Sequence, residues 1–460
     1  MEQNREGWGS KTGFILAAAG SAIGLGNIWK FPYIAGENGG ASFIIVYLIC
    51  IAIIGLPVLI AEILIGRTTQ RDPVGAFYKL SKSKFWASVG GMGVVGGFLI
   101  LSFYAVIAGW AVGYIVEAVQ GNFHDFAEPI AASHHFNDLV GNFYWIVGYF
   151  TLFMIMTMLI VYAGIQKGIE RGSKIMMPIL FILLIILMIR GVTLNGAGAG
   201  FDFLWNPDWS KINAHSVLIA LGHAFFTLSL GMGAMLTYGS YMSKKDNIPS
   251  AALQIVILDT LIALIAGVAI FTSVFAGGLD PAAGPGLIFH TLPTVFIKMP
   301  GGYFFAILFF ILLTIAALTS SISLLQVVVS YFVDERKWNR HTAVVVLGVF
   351  VLLLGLPSAL SFNLFSDFTI FGLNFFDLVD FIASNVILPL GGLLIAIFVG
   401  WVWGFDKVIA NLKEGAEQLF DGYPWVATLW RIFLKFFAPI LIFLVLLQSI
   451  GVLEKITNLF

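Results

Sequence analysis

The chain has 460 residues, 59% of them hydrophobic and only 11% charged, with a net charge of −1 and a mean hydropathy of +0.96. A soluble domain carries about 25% charged residues, so this composition excludes one and describes an integral membrane protein with little mass outside the bilayer. The near-neutral charge offers no basic surface for nucleic acid, and a single cysteine, Cys50, excludes an internal disulfide and a cysteine-based metal site.

A helix that crosses the bilayer needs about 20 apolar residues. Eleven segments qualify: 11–36, 42–66, 88–119, 143–163, 172–190, 214–242, 248–277, 302–332, 342–357, 374–401 and 432–452. The residues before the first (Glu2, Arg5, Glu6) do not form a charged region followed by a small-residue cleavage site, so that span is retained rather than removed as a signal peptide. It carries Ser21, Asn27 and Lys30 and is interrupted at Gly24-Leu25-Gly26. The third and eighth are long enough to tilt or to project from the membrane. The sixth carries His223, Thr227 and Ser229 and is interrupted at Gly231-Met232-Gly233. The seventh holds Asp259 in an otherwise apolar run, and an ionisable residue there is a functional candidate by default. Longer loops are expected at 120–142, 191–213, 279–300 and 402–431, with Tyr423 to Phe437 lying along the interface before the last span.

Lysine and arginine bias orients the bundle. Loops on the N-terminal side hold fifteen of them, from Arg67 and Arg71 through Arg336, Lys337 and Arg340 to Lys413; the other side holds Arg190, Lys211, Lys298 and Lys455. The N-terminus is therefore expected in the cytoplasm and, with eleven spans, the C-terminus outside. In lipid an unpaired backbone amide or carbonyl costs several kcal/mol, so a helix breaks only where protein or a wet cavity replaces the lost bonds. The two breaks fall in the first and sixth spans. Five spans per unit, an odd number, invert the second unit relative to the first. The expected organisation is a first five-helix repeat over 1–190, an exterior loop over 191–213, an inverted second repeat over 214–401, and an interfacial loop with an eleventh helix over 402–460. Paired breaks of this kind point to a transport site near the bilayer midplane.

The run Gly20-Ser-Ala-Ile-Gly-Leu-Gly-Asn-Ile-Trp-Lys-Phe-Pro-Tyr33 followed by Glu37-Asn-Gly-Gly40, together with Phe225 to Gly233 and Leu318 to Ile322, resembles the signatures of the neurotransmitter:sodium symporter family, in the right spans and order. The resemblance covers essentially the whole chain and is strongest to bacterial hydrophobic-amino-acid members. It implies an all-α membrane fold with a LeuT-like 5+5 inverted repeat, helices 1 and 6 broken, plus one extra helix. It implies two sodium ions. The first would be held by Ala22, Asn27, Thr227 and Asp259 with the substrate carboxylate, the second by Gly20, Ile23, Ala316, Thr319 and Ser320. The substrate pocket would comprise Ser21, Ala22, Leu25, Gly26, Ile100, Tyr104, Phe226, Thr227, Ser229, Met232, Ser320 and Leu324, with Tyr104 donating to the carboxylate. Gly24 stands where amine-transporting members carry an aspartate, so an α-amino acid is expected, and the uncharged pocket suits an apolar side chain. Asp259 supplies a fixed negative charge where animal members carry Asn and need chloride, so chloride independence is expected. His223 replaces the usual Gln near Tyr47; it is either a neutral hydrogen-bonding substitute or a proton-holding counter-charge to Asp259. Lys30 with Asp380, and Phe226 as a lid, would form the outer gate; Arg5 with Asp334, plus Trp8 and Tyr241, the inner one. The implied protein is a sodium-coupled importer in the bacterial inner membrane, not an enzyme. Its rivals are a proton-coupled transporter of the same architecture and an ion channel.

Overall fold

The computed structural model describes residues 6–452 apart from 124, 125, 127, 128 and 283. Nine of the described helices are long and apolar enough to cross a bilayer: Ala41–Thr69, Lys84–Gln120, Phe143–Tyr162, Ile165–Val192, Ile248–Ala276, Gly302–Asp334, Arg340–Leu360, Phe375–Val402 and Trp425–Ser449. A further span is the bent pair Lys11–Ala22 and Gly26–Glu37, whose halves meet at 46°. The helix Ala214–Thr227 is too short to cross alone; after residues 228–233 the chain resumes as Ala234–Gly239. Both expected breaks are therefore present. Outside the helices, the described residues contain a two-residue hairpin, Thr369–Ile370 against Leu373–Asn374.

The 37-residue third span rises about 55 Å at 1.5 Å per residue, against a hydrocarbon core of about 30 Å. It packs along the 33-residue eighth span, and these two form the spine of the bundle. The first span lies against the fifth, seventh and eighth. Glycine permits the closest approaches: a Cβ at Gly109 in the third span would come 2.7 Å from the backbone nitrogen of Phe150 in the fourth.

Several spans contain a π-helical turn, and proline explains four of these. Pro32, Pro57, Pro389 and Pro439 each lack the N–H that would bond the carbonyl four residues earlier. Those carbonyls, of Ile28, Ile53, Asn385 and Lys435, all lie within the turns Gly26–Lys30, Ile51–Gly55, Phe381–Ile387 and Phe433–Phe437. The ladder widens where its donor is missing. One freed carbonyl finds a new partner, as Trp401 Nε1 donates to Lys435 O at 3.2 Å.

Two expectations need correction. The stretch Tyr423 to Phe437 is not an interfacial segment preceding the last span: from Trp425 onward it is the first half of that span, running unbroken to Ser449. Pro424 sets the helical start. Trp430 anchors the turn against the second span, with Nε1 donating to Pro57 O at 3.1 Å. The long loops also contain short helices, Pro129–Gly141, Ala197–Trp205, Thr291–Lys298 and Phe405–Lys413.

Candidate functional site

The first break begins at Ile23, which turns to extended geometry after its N–H bonds Ala19 O. The next two amides leave the ladder and are caught by side chains. Gly24 N donates to Asn27 Oδ1 at 3.2 Å, and Leu25 N donates to Tyr104 OH at 3.2 Å. The carbonyls freed on the other side meet hydroxyls of the eighth span. Ser320 Oγ donates to Ser21 O at 3.0 Å and Gly20 O at 3.4 Å. Thr319 Oγ1 reaches Ala316 O at 2.9 Å and Ile23 O at 3.3 Å. Gly20, Ile23, Ala316, Thr319 and Ser320 thus converge.

The second break needs left-handed backbone, at Ser229 (φ 54°), Gly231 (φ 82°) and Gly233 (φ 75°). Gly231 is required for space as well, since a Cβ there would overlap the Leu388 carbonyl of the tenth span. The two breaks touch: Ser229 Oγ donates to Ser21 O at 2.8 Å. Between them lies Asp259, fully buried. Its Oδ1 accepts from Asn27 Nδ2 at 2.8 Å and Thr227 Oγ1 at 3.1 Å, and its backbone oxygen accepts from Asn27 Nδ2 at 3.1 Å. Three of the four protein residues expected at the first sodium position are in mutual contact.

A cavity of about 340 Å³ opens beside both breaks, lined by Ser21, Ala22, Gly24, Gly26, Ile100, Tyr104, Phe226, Ser229, Met232, Ser320 and Leu324. Ten of the twelve expected pocket residues line it. Leu25 and Thr227 do not: Leu25 is buried in the core and Thr227 is engaged with Asp259. Gly24 lines it, and a Cβ there would come 2.8 Å from Tyr104 OH and closer still to Ser320 Oγ. A side chain at this position would fill the space beside the break, as an aspartate would.

At the outer end the expected gate residues are arranged as follows. Lys30 and Asp380 form no ion pair. Lys30 Nζ sits 4.3 Å from the centre of the Phe226 ring, and Asp380 Oδ1 accepts from Ser384 Oγ at 2.6 Å. A compact ammonium on a flexible stem is satisfied by an aromatic face where a bidentate guanidinium fork would favour a carboxylate. At the opposite end, Arg5 lies outside the described residues. Trp8 Nε1 donates to Tyr238 O at 2.9 Å and its backbone N–H to Tyr241 O at 3.2 Å, while Gln326 Nε2 donates to Tyr241 OH at 2.8 Å. Asp334 Oδ2 accepts from Asp72 N at 3.0 Å. His223 lies against Tyr47 and Phe31, with ring centres 5.3 and 5.8 Å apart, and neither of its nitrogens has a hydrogen-bond partner among the described residues.

Glu62 is a site residue that sequence reasoning missed. It is fully buried in the second span, and its Oε1 accepts from Gly231 N at 2.6 Å, holding the sixth-span break open. Its signal, a lone acid in an apolar span, was the same one that singled out Asp259.

Two interrupted helices whose loose backbone borders one cavity, with a buried carboxylate bound to both of them, define a membrane transport protein of the broken-helix type. Residues 5–138 and 130–458 match the Sodium:neurotransmitter symporter family. The chain belongs to that family, and it is a sodium-dependent transporter with a LeuT-type fold. It is 40% identical over 453 residues to the uncharacterized sodium-dependent transporter YhdH of Bacillus subtilis (strain 168), covering 98% of this chain and 99% of that one. It is 33% identical to the uncharacterized sodium-dependent transporter MJ1319 of Methanocaldococcus jannaschii, covering 90% and 85%. Among solved structures, MhsT in complex with L-phenylalanine superposes with a TM-score of 0.88 at 49% identity, covering 97% of this chain and all (100%) of that one.

Proposed function

We propose that this chain is a symporter that uses the sodium gradient to import hydrophobic L-amino acids, by alternating access about the cavity between the two breaks. The observation that carries this reading is the cavity wall itself: Tyr104 OH and the Gly24–Gly26 backbone on one side, apolar Ile100, Met232, Leu324 and Phe226 on the other, and no charged side chain between them. An α-carboxylate suits the freed amides and a bound cation; an apolar side chain suits the rest. The structural neighbour's complex with L-phenylalanine supports the same substrate class.

This reading has two sodium positions, and two oxygen clusters support it. The first contains Asn27, Thr227 and Asp259, with Ala22 and the substrate carboxylate completing it. The second contains Gly20, Ile23, Ala316, Thr319 and Ser320. Freed carbonyls and hydroxyls of this kind are sodium ligands in broken-helix transporters. A substrate that itself ligates the first ion binds poorly without it, and that mutual dependence is the coupling. Each sodium moving inward contributes about 2.3 kcal/mol per 100 mV of membrane potential, besides its concentration term. Asp259 supplies a permanent negative charge at the first position, so transport needs no chloride. The protein resides in the bacterial inner membrane with its N-terminus in the cytoplasm, and its units are inverted repeats over 1–190 and 214–401.

The test is uptake of radiolabelled leucine, phenylalanine, tryptophan and alanine into proteoliposomes under an imposed sodium gradient, with choline as the control. Sodium-dependent accumulation above equilibrium, unchanged when gluconate replaces chloride, is the expected result. Equal accumulation in choline would overturn sodium coupling in favour of proton coupling, and currents far above amino-acid flux would indicate a channel.

A further inference from the structure

A second, larger cavity of about 1200 Å³ opens on the outer face of the bundle, where the third, eighth and ninth spans diverge. Gly91, Val95 and Phe98 of the third span, Phe332 of the eighth and Phe350 of the ninth line it, together with Trp338. The surface is open: Val95 is 53% exposed and Phe350 56%, and a Cβ at Gly91 would meet nothing within 4 Å. Its lining is hydrocarbon and aromatic with little polar surface, and in a membrane-spanning bundle such a face meets lipid tails.

Length and charge narrow the occupant. From Ala87 to Phe98 the groove follows about 16 Å of helix, at 1.5 Å per residue. Half of a hydrocarbon core about 30 Å thick is about 15 Å, the depth of one leaflet. Cations flank the lining residues in sequence. Lys84 opens the third-span helix one turn before Ala87, and Arg336 stands between Phe332 and Trp338 in sequence. Both are exposed. Lys84 makes no ion pair or hydrogen bond among the described residues, and Arg336 rests only on the ring of Tyr331, 5.8 Å from its centre. The nearby carboxylate of Glu335 is engaged by Arg71 at 3.3 Å. Two exposed cations without a carboxylate partner among the described residues thus adjoin, in sequence, residues that line a leaflet-deep apolar groove.

We propose that this groove is a binding site for an anionic phospholipid, with one acyl chain lying along Gly91, Val95 and Phe98 and the headgroup phosphate held by Lys84 and Arg336. A zwitterionic lipid would fill the same groove without the charge preference. A second copy of the chain would fill it with side chains.

The test uses the full-length protein in phosphatidylcholine vesicles containing a trace of either phosphatidylglycerol or phosphatidylcholine with a photoactivatable group in one tail. Labelled positions are mapped by peptide mass spectrometry. The expected result is labelling of peptides spanning 87–98 and 347–350 by the phosphatidylglycerol probe. Each cation near the surface favours an anionic lipid by about fivefold, so Lys84→Gln and Arg336→Gln should each lower that labelling by about that factor and leave the phosphatidylcholine probe unchanged. Gly91→Trp, which fills open space, should abolish groove labelling by both probes, with sodium-dependent uptake confirming that the variant is folded. Equal labelling by the two probes, or labelling indifferent to both charge variants, would reduce the groove to bulk annular lipid and overturn the proposal. Cross-links between two copies through the groove would overturn it in favour of a dimer interface.

Discussion

Asp259 is a single carboxylate in a membrane helix, and its neighbours account for its presence. Asn27 and Thr227 both donate to it, so its Oδ1 is fixed in place, and no lysine or arginine among the described residues is paired with it. A buried anion held by neutral donors has spare capacity for a cation. Asp259→Asn keeps the size and removes the charge. Losing a charged hydrogen-bonding or ligating partner costs about 1.5–3 kcal/mol. The sodium concentration for half-maximal uptake should therefore rise by about 10- to 100-fold. The same variant carrying Ala263→Ser, which puts a hydroxyl one helical turn further on, should gain chloride stimulation. Uptake by the double variant that ignores chloride would sink the charge-substitution idea, whereas a sodium requirement unchanged in Asp259→Asn would remove this residue from the ion site. The residues around Asp259 were legible in the sequence because the chemistry is locally dense. Gly20 to Asn27 form one run, and Thr319 and Ser320 are adjacent. The partner of Lys30 was not legible, for the opposite reason. Its partner is the face of a ring 196 residues away (Phe226 − Lys30), and no spacing rule distinguishes a cation over Phe226 from one paired with Asp380.

At the scale of elements, breaks in helices are held open by groups from other helices. The sixth-span break depends on Glu62 of the second span, which takes the Gly231 amide at 2.6 Å. Glu62→Ala leaves that buried amide without an acceptor, at a cost of about 1–3 kcal/mol. Glu62→Gln keeps a carbonyl oxygen in the same place. The detergent-solubilised alanine variant should melt several degrees lower and lose most uptake, while the glutamine variant should retain most of its melting temperature. Equal melting temperatures for the two would mean that the amide contact is unimportant. A second element, the helix Pro73–Ser81, is capped by buried Asp72, whose Oδ1 accepts from Val74 N at 2.9 Å and Gly75 N at 3.3 Å. Burial, and then the carboxylates of Asp334 and Glu335, push the Asp72 pKa up to about 8. The unfolded chain gives up this proton near pH 4 while the folded state keeps it. The stabilisation is therefore complete below about pH 4 and is lost as the pH rises to about 8. Melting temperature should fall between pH 5 and 8, and fall less in Asp72→Asn. A steeper decline in the variant would reverse the sign and refute the assignment. Neither device was visible in sequence order, because Glu62 and Gly231 are 169 residues apart and Asp72 and Asp334 are 262 apart. Periodicity located the spans; it could not say which span props which break, nor that Trp425 begins a transmembrane helix rather than an interfacial one.

For the whole molecule, alternating access requires that one end open when the other closes, and the two ends are held by contacts of unlike strength. The outer end is covered by Phe226 with Lys30 above it, without an ion pair to the tenth span. The inner end is tied repeatedly. Trp8 donates to Tyr238 O and Tyr241 O and stands edge-on to Phe14, Tyr238 and Tyr241, with ring centres 5.3–6.4 Å apart. The residues beside it are bound to the fifth span, where Glu6 Oε2 accepts from Ile165 N at 3.0 Å and Glu170 Oε2 from Gly9 N at 2.6 Å. The N-terminal segment thus ties the first, fifth and sixth spans together, and under the alternating access proposed above it acts as a latch that parts when the inner end opens. Truncating a fully buried tryptophan costs about 3–5 kcal/mol. Trp8 is half-buried, so Trp8→Ala should remove about half of that from the inner-closed state alone, shifting the equilibrium toward inner-open by roughly 10- to 60-fold. Removing the single cysteine by Cys50→Ser gives a clean background for a reporter, Ser323→Cys, which lies on the eighth span at 2.6 Å from Ser21 of the cavity wall. A membrane-impermeant thiol reagent applied from the cytoplasmic side should modify this reporter slowly in the parent and at least tenfold faster with Trp8→Ala. Sodium should restore part of the protection, because an ion that binds the inner-closed state better draws the population back. Acceleration without any sodium protection would mean that Trp8 merely stabilises the fold, and unchanged reactivity would mean that the latch does not control the inner end.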